Sequence, residues 1–249
     1  MSGHSKWATI KHKKGALDAE RGALFTKLIK EITVAAKNGG GSADTNPRLR
    51  TAVAKAKESN MPSDNIERAI KKGTGELPGV IYEEVTYEGY GPGGVAILIE
   101  ALTDNKNRTT AEIRSILEKK GGSMSGAGSV AWQFQTKGLI LVKKEAADED
   151  RLMSLALDAG AADFVAQKET YEIVAEPHDF EKLKKALADA KIATESAEIT
   201  GIPSATVKIA ELSAAKNALG LVDALEENED VQNVYANFDI PDEMLQQIS

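Results

Sequence analysis

The feature that most constrains this fold is a change in the period of the apolar residues near residues 76–79. Before that point they recur every three or four positions, as in Leu24, Leu28 and Ile32. After it they alternate with polar residues, as in Val85 and Tyr87. Helices bury side chains with a period of 3.6 and strands with a period of 2. The change therefore predicts a helical region followed by sheet-containing regions.

Three amphipathic helices are predicted before the change. The first covers residues 17–38 and stops at three consecutive glycines, which favour the end of a helix. The second starts at Asn46 and Pro47, because asparagine caps a helix and proline suits its first position. The third is short and centres on residues 66–70. Three helices of these lengths can enclose one small core, so residues 1–78 are predicted to form an all-helical domain.

Strands dominate the next segment. Residues 81–90 and 95–102 are predicted strands, residues 107–120 a helix and residues 129–134 a further strand. The glycines of residues 89–94 satisfy the spacing G-x-G-x-x-G, but an apolar strand follows them where a dinucleotide site needs a helix. A hairpin turn is the better interpretation of this motif.

The remaining segments predict a second sheet and the completion of the first. Strands at 138–142, 170–175 and 195–200 alternate with helices at 148–159 and 178–190, which indicates a split ferredoxin-like unit. The C-terminal part adds strands at 205–209 and 231–238 and a helix at 211–225. The predicted class is α+β, with an N-terminal all-helical domain followed by two ferredoxin-like α/β domains. We predict domains at 1–78, at 79–134 plus 204–249, and an inserted acidic domain at 135–203; sequential domains are the alternative.

The charge of the chain is divided unevenly. Residues 1–75 carry 15 Lys and Arg against 7 Asp and Glu, whereas residues 76–249 carry 16 against 31. A basic segment on an acidic protein of net charge -7 attracts polyanions locally, and nucleic acid is the obvious partner. The alternative is a solvated helical surface that is merely rich in lysine.

Several chemistries lack support in the sequence. There is no cysteine, the two N-terminal histidines lie eight positions apart, and no P-loop or serine-hydrolase motif occurs. We expect no metal, no cofactor and no catalytic residue. Asp104 is a carboxylate that a nuclease would need, but a capping loop before the following helix is the preferred interpretation. The longest apolar run, residues 95–99, is too short to cross a membrane, and the first 25 residues lack a secretory signal, so a cytoplasmic protein is expected.

The strongest candidates for nucleic-acid contact lie at the start of the chain. Lysines there can displace counterions from phosphates, and a tryptophan can stack on a base or pack on a sugar. The alternative for Trp7 is packing against the first helix. These N-terminal candidates are Lys6, Trp7, Lys11, His12, Lys13 and Lys14.

Further candidates are cations of the helical domain and one arginine beyond it. They are Lys27, Lys30, Arg48, Arg50, Lys55, Arg68, Lys71, Lys72 and Arg108. The periodicity predicts that Lys27 and Lys30 point away from the apolar face of their helix. The glycine-rich residues 121–129 either bring backbone amides to a phosphate or serve as a flexible connector.

A set of ordered motifs resembles the YebC/PmpR family. These motifs are Gly3-His4-Ser5-Lys6-Trp7, Ile10-Lys11-His12-Lys13-Lys14, Arg48-Leu49-Arg50, Met61-Pro62, Asn65-Ile66-Glu67-Arg68-Ala69-Ile70-Lys71-Lys72-Gly73, Tyr87-Glu88-Gly89-Tyr90 with Pro92-Gly93-Gly94, Thr103-Asp104-Asn105-Lys106-Asn107-Arg108-Thr109 and Ala236-Asn237-Phe238. They run mainly from residue 3 to about residue 134, and residues 135–203 match chiefly in pattern.

The resemblance implies a cytoplasmic three-domain protein that binds DNA and regulates transcription, without family-level catalytic residues. The family also includes a mitochondrial protein that activates translation. Members of the family are proposed to act on ribosomes during synthesis of proline-rich stretches, and the resemblance implies the same role as a second possibility. The leading hypothesis is therefore a non-enzymatic DNA-binding regulator. The alternative is a translation factor that binds ribosomal RNA. Two features agree with it: the sequence has no recognisable helix-turn-helix for reading DNA, and its acidic two-thirds resemble an adaptor that fits into a larger assembly. For the oligomeric state, a monomer and a weak dimer are the two expectations.

Overall fold

A computed structural model describes residues 18–248 of the chain. Its first half contains α1 (Asp18–Gly39), α2 (Pro47–Glu58), α3 (Ser63–Gly73), β1 (Glu83–Tyr90), β2 (Ala96–Thr103), α4 (Lys106–Lys119) and β3 (Ser123–Ser125). The second half contains β4 (Phe134–Lys143), α5 (Glu149–Asp158), β5 (Ala161–Ala166), β6 (Thr170–Ala175), α6 (Phe180–Asp189), β7 (Ser196–Pro203), β8 (Val207–Lys208), α7 (Leu212–Glu226), β9 (Val231–Ala236), β10 (Phe238–Asp239) and α8 (Asp242–Ile248). The α+β class is confirmed, with a helical N-terminal domain followed by sheet-containing domains.

The three N-terminal helices share one apolar core. Leu28 and Ile32 of α1 meet Leu49 of α2 and Ile66 of α3, and all four side chains are buried. These positions repeat at the helical period, so each helix removes one continuous stripe from water. The amphipathic pattern of the sequence therefore gives the observed packing directly.

Asn46 fixes the junction between α1 and α2. Its Oδ1 accepts from the Leu49 amide at 3.1 Å, as the predicted N-cap requires. Its Nδ2 donates to the carbonyl oxygens of Ala35 and Gly40, both at 2.8 Å. Because Asn46 is buried, one side chain satisfies backbone groups at the end of α1 and at the start of α2.

The middle sheet is antiparallel and has the strand order β3-β1-β2-β9. The β1–β2 hairpin forms its centre, and Tyr90 pairs with Ala96 across the turn. Gly93 and Gly94 take φ of 76°, which glycine adopts without strain, so the glycine motif is a hairpin turn. The C-terminal strand β9 pairs with β2 and completes this sheet from the far end of the sequence.

The second sheet has the order β5-β6-β4-β7, which is the strand order of a split ferredoxin-like unit. Helices α5 and α6 cover one face, where Ile140, Ile173, Leu152 and Leu183 are fully buried. A short parallel pair of β8 and β10 is also present.

Contacts divide the described chain into two compact units. One contains residues 131–208 and 237–239, and the other contains residues 18–130, 209–236 and 240–248. The helical segment and the middle sheet thus belong to the same unit. The domain boundaries at 1–78, 79–134 plus 204–249, and 135–203 stay a prediction.

Two details of the strand prediction were wrong. Residues 129–134 do not form a strand; the third strand of the middle sheet is Ser123–Ser125, and a 3₁₀ turn at Ala131–Gln133 leads into β4. The edge strand β5 is missing from the prediction, because its half-buried residues show no clear alternation.

Candidate nucleic-acid interface

Six predicted cations are exposed on the second and third helices; Arg48 is described separately below, and we call the other five the exposed cations. In α3 they recur at positions 68, 71 and 72, which places them on neighbouring turns of one helix. The buried side chains of the same helix are Ile66 and Ala69, so the apolar stripe faces inward while the cations face water. The exposed cations are Arg50, Lys55, Arg68, Lys71 and Lys72.

A glycine lets α3 dock closely on α1. A Cβ added to Gly73 would lie 2.3 Å from the Thr33 carbonyl oxygen and 2.7 Å from the Ala36 Cβ. Only a residue without a side chain allows this approach. Gly73 therefore sets the position of the helix that carries three of the exposed cations.

Arg48 is exposed but already paired with two carboxylates. Its Nε lies 2.7 Å from Glu31 Oε1 and its Nη2 lies 3.0 Å from Glu31 Oε2, a bidentate arrangement. Its Nη1 also pairs with Glu84 at the start of β1. A phosphate would have to compete with both groups for this guanidinium.

Lys30 is not on the solvent side of α1, and the prediction that it points into water is corrected. It is 7 % exposed, and its Nζ donates to Asp230 Oδ1 at 2.6 Å and to the Glu229 carbonyl oxygen at 2.9 Å. The Tyr82 ring lies 5.8 Å from the same Nζ. Lys27, one helical turn before Lys30, donates to the carbonyl oxygen of Glu226 at the end of α7. Both lysines therefore point at the loop that follows α7.

Arg108 and two threonines complete the shell around Asp230. Arg108 Nη2 lies 2.7 Å from Asp230 Oδ2 and 2.9 Å from Asp104 Oδ1. Thr109 Oγ1 donates to Asp230 Oδ2 at 2.6 Å, and Thr103 Oγ1 lies 3.2 Å from that oxygen. We call Asp230 and the four residues bonded to it, Lys30, Thr103, Arg108 and Thr109, the Asp230 network. It joins α1, β2 and α4 to the start of β9.

The contacts of the network shift the pKa values of Asp230 and Arg108. Burial by itself raises the pKa of Asp230, but hydrogen bonds from Lys30, Thr109 and Arg108 outweigh it and lower that pKa to about 2. The hydrogen bonds to Asp230 and Asp104 raise the pKa of Arg108. Burial, and then the charges of Asp104 and Asp230, raise the pKa of the Tyr82 phenol. Asp230 is therefore an ionised carboxylate, 3 % exposed, held between two cations.

A cleft of about 510 Å³ opens over the Asp230 network. Its walls hold five carboxylates and only two cations, which disfavours phosphate binding. Its lining residues are Lys30, Tyr82, Asp104, Arg108, Glu112, Glu227, Asn228, Glu229 and Asp230.

Two amides at the end of the glycine-rich residues 121–129 and just beyond it bind a carboxylate of the protein. Glu88 is buried, and its Oε1 and Oε2 accept from the amides of Gly128 and Val130, each at 2.6 Å. Two amides of the kind that bind anions are thus occupied by a side chain of β1.

The predicted residues of the N-terminal tail lie outside the described residues; they are Lys6, Trp7, Lys11, His12, Lys13 and Lys14. Within residues 18–248, no group of His, Asp and Glu side chains could hold a metal ion. Over the same range, no helix combines the length and the hydropathy needed to span a bilayer. Sequence reasoning missed Asp230 and the role of Tyr82, because neither belongs to a motif with Lys30 or Arg108.

Comparison with known proteins identifies two matching family models. Residues 5–76 match the TACO1/YebC protein N-terminal domain, and residues 82–238 match the TACO1/YebC second and third domain. The crystal structure of a conserved hypothetical protein from Aquifex aeolicus superposes with a TM-score of 0.83 and 48 % identity, covering 95 % of this chain and 97 % of that one.

Curated relatives match along the whole chain. One from Syntrophobacter fumaroxidans is 55 % identical over 249 residues, covering 100 % of both chains. One from Desulforapulum autotrophicum is 58 % identical over 244 residues, covering 98 % of each. One from Geobacter sulfurreducens is 58 % identical over 248 residues, again covering 100 % of both. Each is named a probable transcriptional regulatory protein. With both family models matched and relatives aligned over its full length, the chain belongs to the TACO1/YebC family.

Proposed function

We propose that this chain is a non-enzymatic regulator of transcription that binds DNA through the exposed cations of α2 and α3. The observation that carries the proposal is the separation of the cations into two groups. Some, such as Lys30 and Arg48, are paired with carboxylates of the protein, whereas the exposed cations face water on helices held by an apolar core. Cations in that position can displace the counterions of a phosphate backbone.

The proposed contacts position the protein on DNA without reading its sequence. Lysine and arginine contacts to phosphates fix register and supply a salt-dependent affinity. The tail lysines add to this footprint in the proposal, and replacing Lys11, Lys13 and Lys14 by alanine flattens the salt dependence by roughly two to three in log-log slope. The acidic remainder repels polyanions and confines binding to the basic segment. The names of the relatives support a regulatory role, and we place that role in the cytoplasm.

Crosslinking in cells tests this proposal against the translation alternative. The protein is crosslinked to nucleic acid, purified and the attached fragments are sequenced. We expect enrichment of promoter DNA, and we expect the variant with Lys55, Lys71 and Lys72 replaced by alanine to lose most of it. Enrichment of ribosomal RNA in place of promoter fragments would contradict the DNA proposal and support a translation factor.

A further inference from the structure

An exposed apolar segment lies directly beside the cations of α3. Leu77, Val80 and Ile81 are 38 %, 51 % and 70 % exposed, three large apolar side chains within five residues. Pro78 between them is exposed as well. Scattered single apolar residues are ordinary on a protein surface, but a cluster on one short connection indicates contact with another molecule.

The connection is held at both ends. Its first part folds back on α3, because the Leu77 amide donates to the Lys71 carbonyl oxygen at 3.1 Å. A Cβ added to Gly79 would lie 3.1 Å from the Lys72 Cβ, so the backbone there packs against the lysine stem. At the other end the Tyr82 ring lies beside Lys30 of the Asp230 network. The apolar side chains are thus presented on a short segment whose two ends are fixed.

The charge beside the segment indicates the chemistry of its partner. Arg68, Lys71 and Lys72 are exposed on the adjoining turns of α3. Exposed carboxylates, those of Glu76, Glu83 and Glu84, stand nearer the two ends of the segment, so it is the α3 side that favours a partner with anionic groups close to an apolar surface. Duplex DNA has this combination, because phosphates line the groove whose floor is formed by the bases. Proteins that bend DNA insert leucine, isoleucine or proline between base steps while cations hold the flanking phosphates.

We propose that Leu77, Pro78, Val80 and Ile81 form an apolar wedge that enters the minor groove of duplex DNA and bends it. The inference rests on the proposed function and adds to it the groove and the deformation. Lys71 and Lys72 hold the phosphates beside the insertion. The wedge contributes affinity that does not depend on salt, in contrast to the lysines.

Two variants separate these contributions. In the wedge variant Leu77, Val80 and Ile81 are replaced by serine; in the charge variant Lys71 and Lys72 are replaced by alanine. A matched control is Leu157→Ser, which changes a leucine 55 % exposed on α5 in the other compact unit. Binding to a labelled duplex is measured over a range of salt concentrations, and bending is measured by energy transfer between its two labelled ends.

The wedge variant should bind roughly tenfold more weakly at every salt concentration, with an unchanged log-log slope and no bending. For the charge variant, the slope of log affinity against log salt concentration should be flatter by about two. Leu157→Ser should bind and bend DNA like the parent protein. Circular dichroism and thermal unfolding check that each variant is folded.

Three results would overturn the wedge. If the wedge variant binds and bends DNA like the parent protein, the wedge proposal is wrong and the proposed function stands. A wedge variant with unchanged DNA binding but lost self-association in sedimentation assigns the segment to a second copy of the chain. A parent protein that binds no duplex at any salt concentration overturns the proposed function together with the wedge.

Discussion

Lysines and arginines of the basic segment have two different environments, although the sequence presents them alike. Lys30 is buried against Asp230, and Arg48 is held by Glu31 and Glu84. Lys71 and Lys72 extend into water from the last turn of α3. Net charge therefore overstates the number of cations available to a phosphate, because carboxylates of the protein already neutralise some of them.

The difference also assigns two functions to one segment. The cations paired with carboxylates, Lys30 and Arg48, connect the helices to the middle sheet and the residue before its last strand. The exposed cations are the proposed contact surface for nucleic acid. Substitutions in the first group should change stability, whereas substitutions in the second group should change binding.

The largest effect on stability is expected for Asp230→Ala. The change leaves Lys30 buried without its carboxylate and removes the shared partner of Arg108, Thr103 and Thr109. Removing one member of a buried ion pair costs about 3 to 5 kcal/mol. Urea unfolding measures the loss, and Glu229→Ala, an exposed acidic neighbour, is the matched control. Equal stability of the two variants would contradict a structural role for the network.

Acid should weaken the same network by a smaller amount. The pKa of Asp230 is about 2 in the folded chain and near 3.8 without its partners, so its ionised form stabilises the fold above about pH 4. That contribution, about 2 kcal/mol, disappears as the pH falls from 4 through 2. The difference in free energy of unfolding between the parent and Asp230→Asn should therefore shrink over this range. A difference that stays constant from pH 5 to pH 2 would be the contrary result.

A comparable but more local effect is expected where α3 meets α1. Gly73→Ala places a methyl group against Thr33 and Ala36 and should cost about 1 to 3 kcal/mol through overpacking. Gly22→Ala is the control, because nothing lies within 4 Å of the added Cβ and alanine favours a helix by up to about 1 kcal/mol. Measured by thermal unfolding, the melting temperature of Gly73→Ala should be lower than that of the parent protein, and that of Gly22→Ala should not. If both variants behaved alike, close packing at Gly73 would have no energetic weight.

The sequence predicted those parts of the fold that depend on local pattern. Helices α1 to α3, the Asn46 cap and the β1–β2 hairpin follow from apolar period, cap chemistry and glycine position. The short strand β3 could not be predicted, because three residues in a glycine-rich loop carry no period and pair only through backbone atoms. Local pattern thus specifies elements better than it specifies edge pairing.

The environment of individual cations could not be predicted for a different reason. Lys30 and Asp230 are separated by 200 positions, so no local spacing connects them. The helical period predicts that Lys30 points away from the apolar stripe, and only the tertiary fold brings Asp230 to it and buries it. Lys71 and Lys72 could be assigned to the surface, because Ile66 and Ala69 define the buried face of the same short helix.

The salt dependence of DNA binding tests most directly the division between cations paired with carboxylates and the exposed cations. For the parent protein we expect a log-log slope of roughly -4 to -6, corresponding to about five to seven phosphates. Replacing Lys55, Lys71 and Lys72 by alanine should flatten the slope by about two to three and change the free energy of unfolding by less than about 0.5 kcal/mol. Lys30→Met should leave the slope unchanged and lower stability by about 3 to 5 kcal/mol. A triple variant with the slope of the parent, or a Lys30→Met protein with a flattened slope, would contradict the account.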